Sequence, residues 1–322
     1  MILRAGLLFI AITLINPLHA QISVQGSVID AESKRAIPYA NIGILNTKTG
    51  TISNTDGTYK ITVPDSLLLR KIIFSAIGYH RQEFGVNQLK QNPKVELEPR
   101  TIRLKNIVIT ADQNRQGKWL GNTRKNLLPR GKTKCDSASA GGAMALLIAK
   151  EDTSLNLIQK ARIRIIRNTL PEFKIRFRIL GLDKSDNNLP GKDLFKESLV
   201  VASSINQGWL EFDLSSKNFL VEQDSFYIQF EWLYEESDRH YIAQSYTNYM
   251  KNNPDHVIRD TVVVDGVPIP TVLVQHFYVG TFFAVTRSKR VLKKHVAYER
   301  SNSFAEWKRS ASIVQAEVLM TD

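Results

Sequence analysis

The chain of 322 residues contains a single cysteine, Cys135, so no internal disulfide can form and the fold must rest on buried apolar surface. Long hydrophobic runs are equally scarce. The one at the start of the chain, Ala5 to Ile15, falls short of the roughly 20 residues that a membrane-spanning helix needs. No Gly-x-Ser-x-Gly elbow is present to carry a serine hydrolase, and no glycine-rich loop to cradle phosphates. No long stretch repeats apolar residues at the 3.6-residue period of a helix. Histidines are few: His240, His256, His276 and His295 are scattered with no two at ligand spacing, and Glu299, four residues after His295, has no third partner in sight. Acidic residues are outnumbered, 31 against 43 basic ones, for a formal charge of +12. In a cytosolic protein that balance would raise nucleic acid first.

The first twenty residues redirect that reading. Arg4, the apolar run, a helix-breaking Pro17 and Leu18-His19-Ala20 follow the basic, apolar and small-residue order of a secretory signal. Residues 1–20 are therefore expected to be removed after Ala20. No cysteine stands at the cleavage point to carry a lipid, and no spanning segment is expected after residue 20. For an exported chain the nearer anions are lipid head groups, acidic glycans and acidic protein surfaces, not nucleic acid. The same excess of Lys and Arg also serves simply to solvate β faces.

From Gln21 onward, short alternating runs broken by turn residues predict a small β-sandwich over residues 21–110. Val24 to Ile29 is one strand, and Pro38 to Leu45 a second with its proline at the start. Asp56-Gly57 sits between two strand-like runs, a pattern that predicts a tight hairpin. Lys71 to Tyr79, Pro93 to Leu97 and Ile107 to Ile109 supply further strands.

The ordered motifs Gly26-x-Val28-x-Asp30, Pro38-x-Ala40-Asn41-Ile42, Asn54-Thr55-Asp56-Gly57-x-Tyr59, Ser75-x-Ile77-Gly78-Tyr79, Leu97 and Leu104-x-x-Ile107-x-Ile109 resemble the carboxypeptidase regulatory-like domain. That resemblance covers less than a third of the chain. It implies a transthyretin-like (prealbumin-like) sandwich that acts as a folding or interaction accessory, common in exported proteins of Bacteroidota and often placed before TonB-dependent receptors. A receptor barrel of about 22 strands of some ten residues each does not fit in the remaining chain. A zinc peptidase would need three protein ligands around an open position. His80-Arg81-Gln82-Glu83 offers two, on a short extended segment inside the accessory module.

Residues 111–143 are polar and contain Pro and Gly, which predicts a linker, although Trp119 or Leu127-Leu128 could pin part of it to a neighbour. Residues 144–322 return to strand patterns and predict a second β-sandwich, with a jelly roll as one arrangement. Asp265-Gly266 marks a hairpin between Thr261–Val264 and Val267–Val274, and Phe277 to Thr286 forms a further strand. Leu189 to Leu194, Gly208-Trp209 and Asp213-Leu214 are similar to uncharacterised β modules that accompany the accessory domain, and bring no activity with them. The fold class is thus all-β, an N-terminal transthyretin-like sandwich followed by a second sandwich.

Two surfaces carry the binding expectations. Arg162 and Arg164 share one parity of a strand, and Lys174, Arg176 and Arg178 one parity of the next. If those strands pair, five cations share a face that would hold phosphate or carboxylate groups; a solvated face that discourages aggregation is the plainer use. Residues 235–260 read as a polar loop in which Tyr241, Tyr246 and Tyr249 could stack on sugars or simply anchor the loop. Trp209 and Trp232, within strands, read as core or half-buried packing. Asp183, Asp186, Asn187 and Asn188 lack the glycine and late glutamate of a calcium loop and read as a turn. The combined expectation is an exported, non-enzymatic envelope protein without cofactor or metal. Its partner would be an anionic glycan, lipopolysaccharide or an envelope protein, in the periplasm, at the outer membrane or secreted. A carbohydrate-binding or glycan-processing component is the alternative, and a metallopeptidase a more distant one.

Overall fold

The computed structural model describes residues 21–100, 117–122, 131–133, 141–264 and 267–322. The signal-like segment, the strand expected at Ile107–Ile109, Leu127-Leu128, Cys135 and Asp265-Gly266 lie outside the described residues.

The first module runs through β1 (Gln21–Asp30), β2 (Asn41–Gly43), β3 (Gly50–Ile52), β4 (Thr58–Pro64), β5 (Ile72–Ser75), β6 (Gln82–Phe84), α1 (Val86–Gln91) and β7 (Lys94–Leu97). Two sheets, ordered β4-β1-β7 and β3-β2-β5-β6, face each other. Alternation does the work: Tyr59, Ile61 and Val63 of β4 point inward while Thr58, Lys60 and Thr62 point to water. The core between the sheets gathers Val24, Val28, Ile42, Phe74, Val95 and Leu97, with Tyr59 and Phe84 edge-on to Phe74.

One turn differs from the sequence reading. Gly57 adopts φ 79°, and the Asp56 carboxylate accepts from the Thr58 amide at 2.9 Å, so the Asp-Gly turn forms. Yet it joins β3 to β4, which belong to different sheets, and so crosses the sandwich instead of closing a hairpin. Gly26 has a tighter reason to be glycine: a Cβ there would lie 1.9 Å from the Pro93 carbonyl oxygen.

The second module comprises β8 (Lys118–Gly121), β9 (Gly131–Thr133), β10 (Ala143–Ala149), β11 (Leu157–Asn168), β12 (Phe173–Asp183), β13 (Leu189–Asp193), β14 (Leu199–Ser203), β15 (Gly208–Asp213), β16 (Phe219–Leu220), β17 (Ser225–Trp232), α2 (Glu236–Asn252), β18 (Val257–Val264), β19 (Val267–Val274), β20 (Thr281–Thr286), β21 (Ala297–Arg300), β22 (Lys308–Arg309), β23 (Ile313–Val314) and β24 (Ala316–Thr321). β12, β17, β10 and β21 are the centre of a seven-stranded sheet; β20, β11, β24 and β8 form the spine of an eight-stranded one. Between them lies an aromatic core in which Phe177 touches Phe212 and Phe230 at 5.4 and 5.3 Å, and Trp232 stacks on Phe283 at 3.9 Å. The chain is all-β in class, two sandwiches in series.

Three expectations change. The supposed linker contributes β8, paired with β24, and β9, paired with β20, so the second module begins earlier than residue 144. The strand expected from Phe277 begins only at Thr281. The polar loop expected over residues 235–260 contains a 17-residue helix, α2, whose N-terminus is closed by the Asp238 carboxylate accepting from the Glu235 amide at 3.0 Å. Among the described residues no helix is long and apolar enough to cross a membrane.

The two modules are docked. Tyr39 and Ile52 pack against Leu233, with Val200 beside them. The turn after β2 is pinned as well: the Asn46 amide donates to the Phe304 carbonyl at 2.8 Å, and the Asn302 side chain donates to the Thr47 carbonyl at 3.1 Å. Gly50 leaves room for this approach, since a Cβ there would sit 2.8 Å from Asn302 Cγ.

Candidate functional site

The period-2 pattern of the two basic strands holds, but they do not pair with each other. β11 lies in the eight-stranded sheet and β12 in the seven-stranded one, joined by a short crossing at Thr169–Glu172. Their charged sides are the outer faces of opposite sheets, so the expectation that Arg162, Arg164, Lys174, Arg176 and Arg178 share one surface is overturned. Each half has its own environment.

On β12, Arg176 lies beneath the docked first module, with Lys174 and Arg178 on either side of it along the strand. Arg176, only 2% exposed, donates through Nε and Nη2 to both Glu231 oxygens at 3.0 and 2.8 Å. The same guanidinium donates to the Tyr39 carbonyl at 2.7 Å and the Asn41 side chain at 2.6 Å, both in the first module. Arg178 forks onto Asp193, with 2.7 Å from Nε, and its Nη1 lies 3.7 Å from Glu231. Lys174 sits 3.2 Å from Glu235, whose carboxylate also accepts from the Thr55 hydroxyl at 2.6 Å. Burial opposes charge on Glu231, but Arg176 and Arg178 outweigh it and hold the carboxyl at about 2. This half of the basic pattern is a structural clasp between modules, with its arginines spoken for.

Arg300 borders the same cluster from β21. It donates to the Ser303 carbonyl at 2.9 Å and to Gln229 Oε1 at 3.3 Å, under the Trp307 ring at 4.3 Å.

On β11 the outer face is open. Arg162 lies over Trp119 at 3.9 Å and over Trp209 at 4.7 Å, and Arg164 lies 5.7 Å from the Trp209 ring. Strand register builds this row: Arg164 is opposite Trp209 on β15, and Arg162 stands between Glu211 of β15 and Glu317 of β24. Glu317 accepts from Arg162 Nε at 2.5 Å, and Glu211 lies 3.6 Å from Arg162 Nη1. Trp209 is half-buried on this outer face, and Trp232 is in the core. Sequence reasoning missed Trp119 as part of a surface because it fell in apparent linker. The available signal was its parity match to an edge strand.

The three tyrosines do not line a common groove. Tyr246 and Tyr249 pack onto the core and meet Phe277 edge-on at 5.1 and 5.6 Å, and the Tyr249 hydroxyl pairs with His256 Nδ1 at 2.7 Å. Only Tyr241 is turned outward, 42% exposed. The anchoring use therefore accounts for Tyr246 and Tyr249, and the glycan-stacking trio is overturned. Ile242, Tyr246 and Tyr249 fall at i, i+4 and i+7, the spacing that reveals α2 in retrospect.

Glu83 pairs with Arg81 at 2.6 Å, and among the described residues no group of three His, Cys, Asp or Glu side chains comes together to hold a metal. Asp183 caps its own turn, accepting from Ser185 at 3.0 Å.

A family model described as the CarboxypepD_reg-like domain matches residues 24–109. Two TonB-dependent receptors of Formosa agariphila are similar to the same end of the chain. One is 37% identical over 92 residues and the other 34% identical over 87, each match covering 27% of this chain and 8% of the receptor. The chain thus matches less than a tenth of the length of these curated relatives. A solved structure of infectious bursal disease virus, Gx strain, aligns over 94% of this chain and 64% of its own at 8% identity, with a TM-score of 0.24, too low to carry an argument.

Proposed function

We propose, from a chain whose residues 24–109 are a CarboxypepD_reg-like domain, that this protein is exported to the cell envelope and acts there without catalysis. In this reading it docks an envelope protein through the Trp119–Arg162–Trp209–Arg164 face. The observation that carries the reading is that face: two tryptophans and two arginines in one ordered row on an open sheet. Trp and Arg dominate protein-contact hot spots because they combine large area with little entropy to lose when already ordered. Export is supported by the signal-like order of residues 1–20, and an envelope address by the kinship of the first domain to parts of TonB-dependent receptors.

The glycan alternative has weaker support. Guanidinium groups already cover at least one face of each tryptophan, the position a sugar ring would take, and the tyrosine trio is dispersed.

The test has two parts. Mass spectrometry of the protein from envelope fractions should give an N-terminus at Gln21. Site-specific photocrosslinking from the Arg164 position in cells should give one discrete adduct that disappears in Trp209→Ala and persists in Tyr241→Ala. Adducts insensitive to Trp209, or a salt-sensitive acidic-glycan signal on the same face instead, would overturn the protein-docking reading.

A further inference from the structure

Around Glu231 the module junction holds more positive charge than it balances. Arg176, Arg178 and Arg300 converge on Glu231 and Asp193, three guanidiniums against two carboxylates. Arg300 shows the shortfall in two ways. Its Nε–H is buried with no acceptor among the described residues. Burial, followed by the repulsion of Arg178, depresses its guanidinium to about 9 against the pull of Glu231 and Asp193. An arginine does not readily give up its proton, so the guanidinium stays charged where it is buried, beside a second cation.

Beside this cluster opens a cleft of about 580 Å³, lined by residues of both modules. Arg300 forms part of its wall. Lys48 enters from the first module, on the turn that Asn302 and Phe304 pin in place, while Arg287 follows β20 and Lys308 lies on β22. Two carboxylates also border it: Glu299, which accepts from the Ser310 hydroxyl at 3.0 Å, and Glu306. Lys48, Arg287 and Lys308, on separate segments, thus line one space together with Arg300 in its wall, against two carboxylates.

We infer that this cleft is an oxyanion site, taking a carboxylate or phosphate group of a small ligand, and that it is complete only with the first module docked. Lys48 closes the site from one module and Lys308 and Arg287 from the other, so an anion held there also bridges the two. The site is separate from the Trp–Arg face: no residue of its lining belongs to β8, β11 or β15.

Calorimetric titration of the purified protein with inorganic phosphate and, separately, with succinate tests this, with ionic strength held constant by sodium chloride. Saturable binding of at least one is expected. Lys48→Gln and Lys308→Gln, both at exposed positions, should each weaken it about tenfold, the scale of one charge-assisted hydrogen bond. Lys160→Gln, on β11 outside the lining, should leave it unchanged. A phosphate-only response identifies a phosphoryl ligand, and a succinate-only response a carboxylate. No saturable heat with either probe, or binding that Lys48→Gln and Lys308→Gln leave intact, overturns the inference. Circular dichroism of each variant separates lost binding from lost fold.

Discussion

Arg176 and Glu231 form a two-pronged ion pair at 3.0 and 2.8 Å, and two further donors of that arginine end on the backbone and side chain of another module. A buried pair adds little net stability relative to a hydrophobic pair, but breaking one leaves a bare charge in the interior. Arg176→Met also strips the Tyr39 carbonyl and the Asn41 side chain of their donor, and should cost on the order of 3–5 kcal/mol in urea denaturation. Arg176→Met with Glu231→Leu should cost at least as much, because Glu231 is also the counter-charge of Arg178. A double variant more stable than the single one would show that Arg178 does not depend on Glu231.

Acid should weaken the protein over a defined window. The ordinary value for Glu231 is 4.5 and its folded value about 2, so below 4.5 the unfolded chain takes up a proton that the native state refuses. Its contribution is fully present above that pH and is lost as pH falls toward 2, up to about 3 kcal/mol. Urea midpoints recorded from about pH 6 down to about pH 3 should show the decline. In Glu231→Gln, weaker from the outset, that part of the slope should be missing.

Gly26→Ala places a methyl group against the Pro93 carbonyl, where only 1.9 Å is available. The strand must move or the β1–β7 pairing must open, at a cost of about 3 kcal/mol. Thermal unfolding should show it, and hydrogen exchange should place the loosening in the first module. Unchanged exchange at Ser27–Asp30 would mean that the clash is relieved elsewhere.

The tyrosines of α2 should separate by their contacts. Tyr246→Ala removes a ring from the Phe277 contact and should cost about 2 kcal/mol. Tyr241→Ala, on the outward side, should stay within about 0.5 kcal/mol. A similar loss of stability in both would mean that the helix sits differently against the body.

Local pattern made much of this legible. Phe173, Ile175, Phe177 and Ile179 alternate with Lys174, Arg176 and Arg178, and parity alone separates inside from outside in β12. The motifs from Gly26 to Leu97 were enough for the first domain. Which sheet receives a strand is another matter, because the chain between Asn168 and Phe173 is long enough either to turn back or to cross over, and tertiary packing chooses. The same limit hid the clasp: Glu231 lies 55 residues from Arg176, and nothing near either position marks the other. α2 escaped because Ile242 is its one buried residue, leaving too thin an apolar stripe for a periodic signal. Trp119 is legible as an anchor of the linker but not as a strand residue on a surface, because its strand is four residues long and flanked by polar sequence.

The covered face of β12 and β17 also bears on how the protein can be divided. A fragment cut after the first domain would uncover Arg176 and the Glu231 it pairs with, groups that are 2% exposed or less in the whole chain. Water would hydrate them, and the truncated sandwich would acquire a polar surface that the intact protein never displays. Binding measured on such a piece would report in part on an artificial exterior, so the covalent unit of study is the pair.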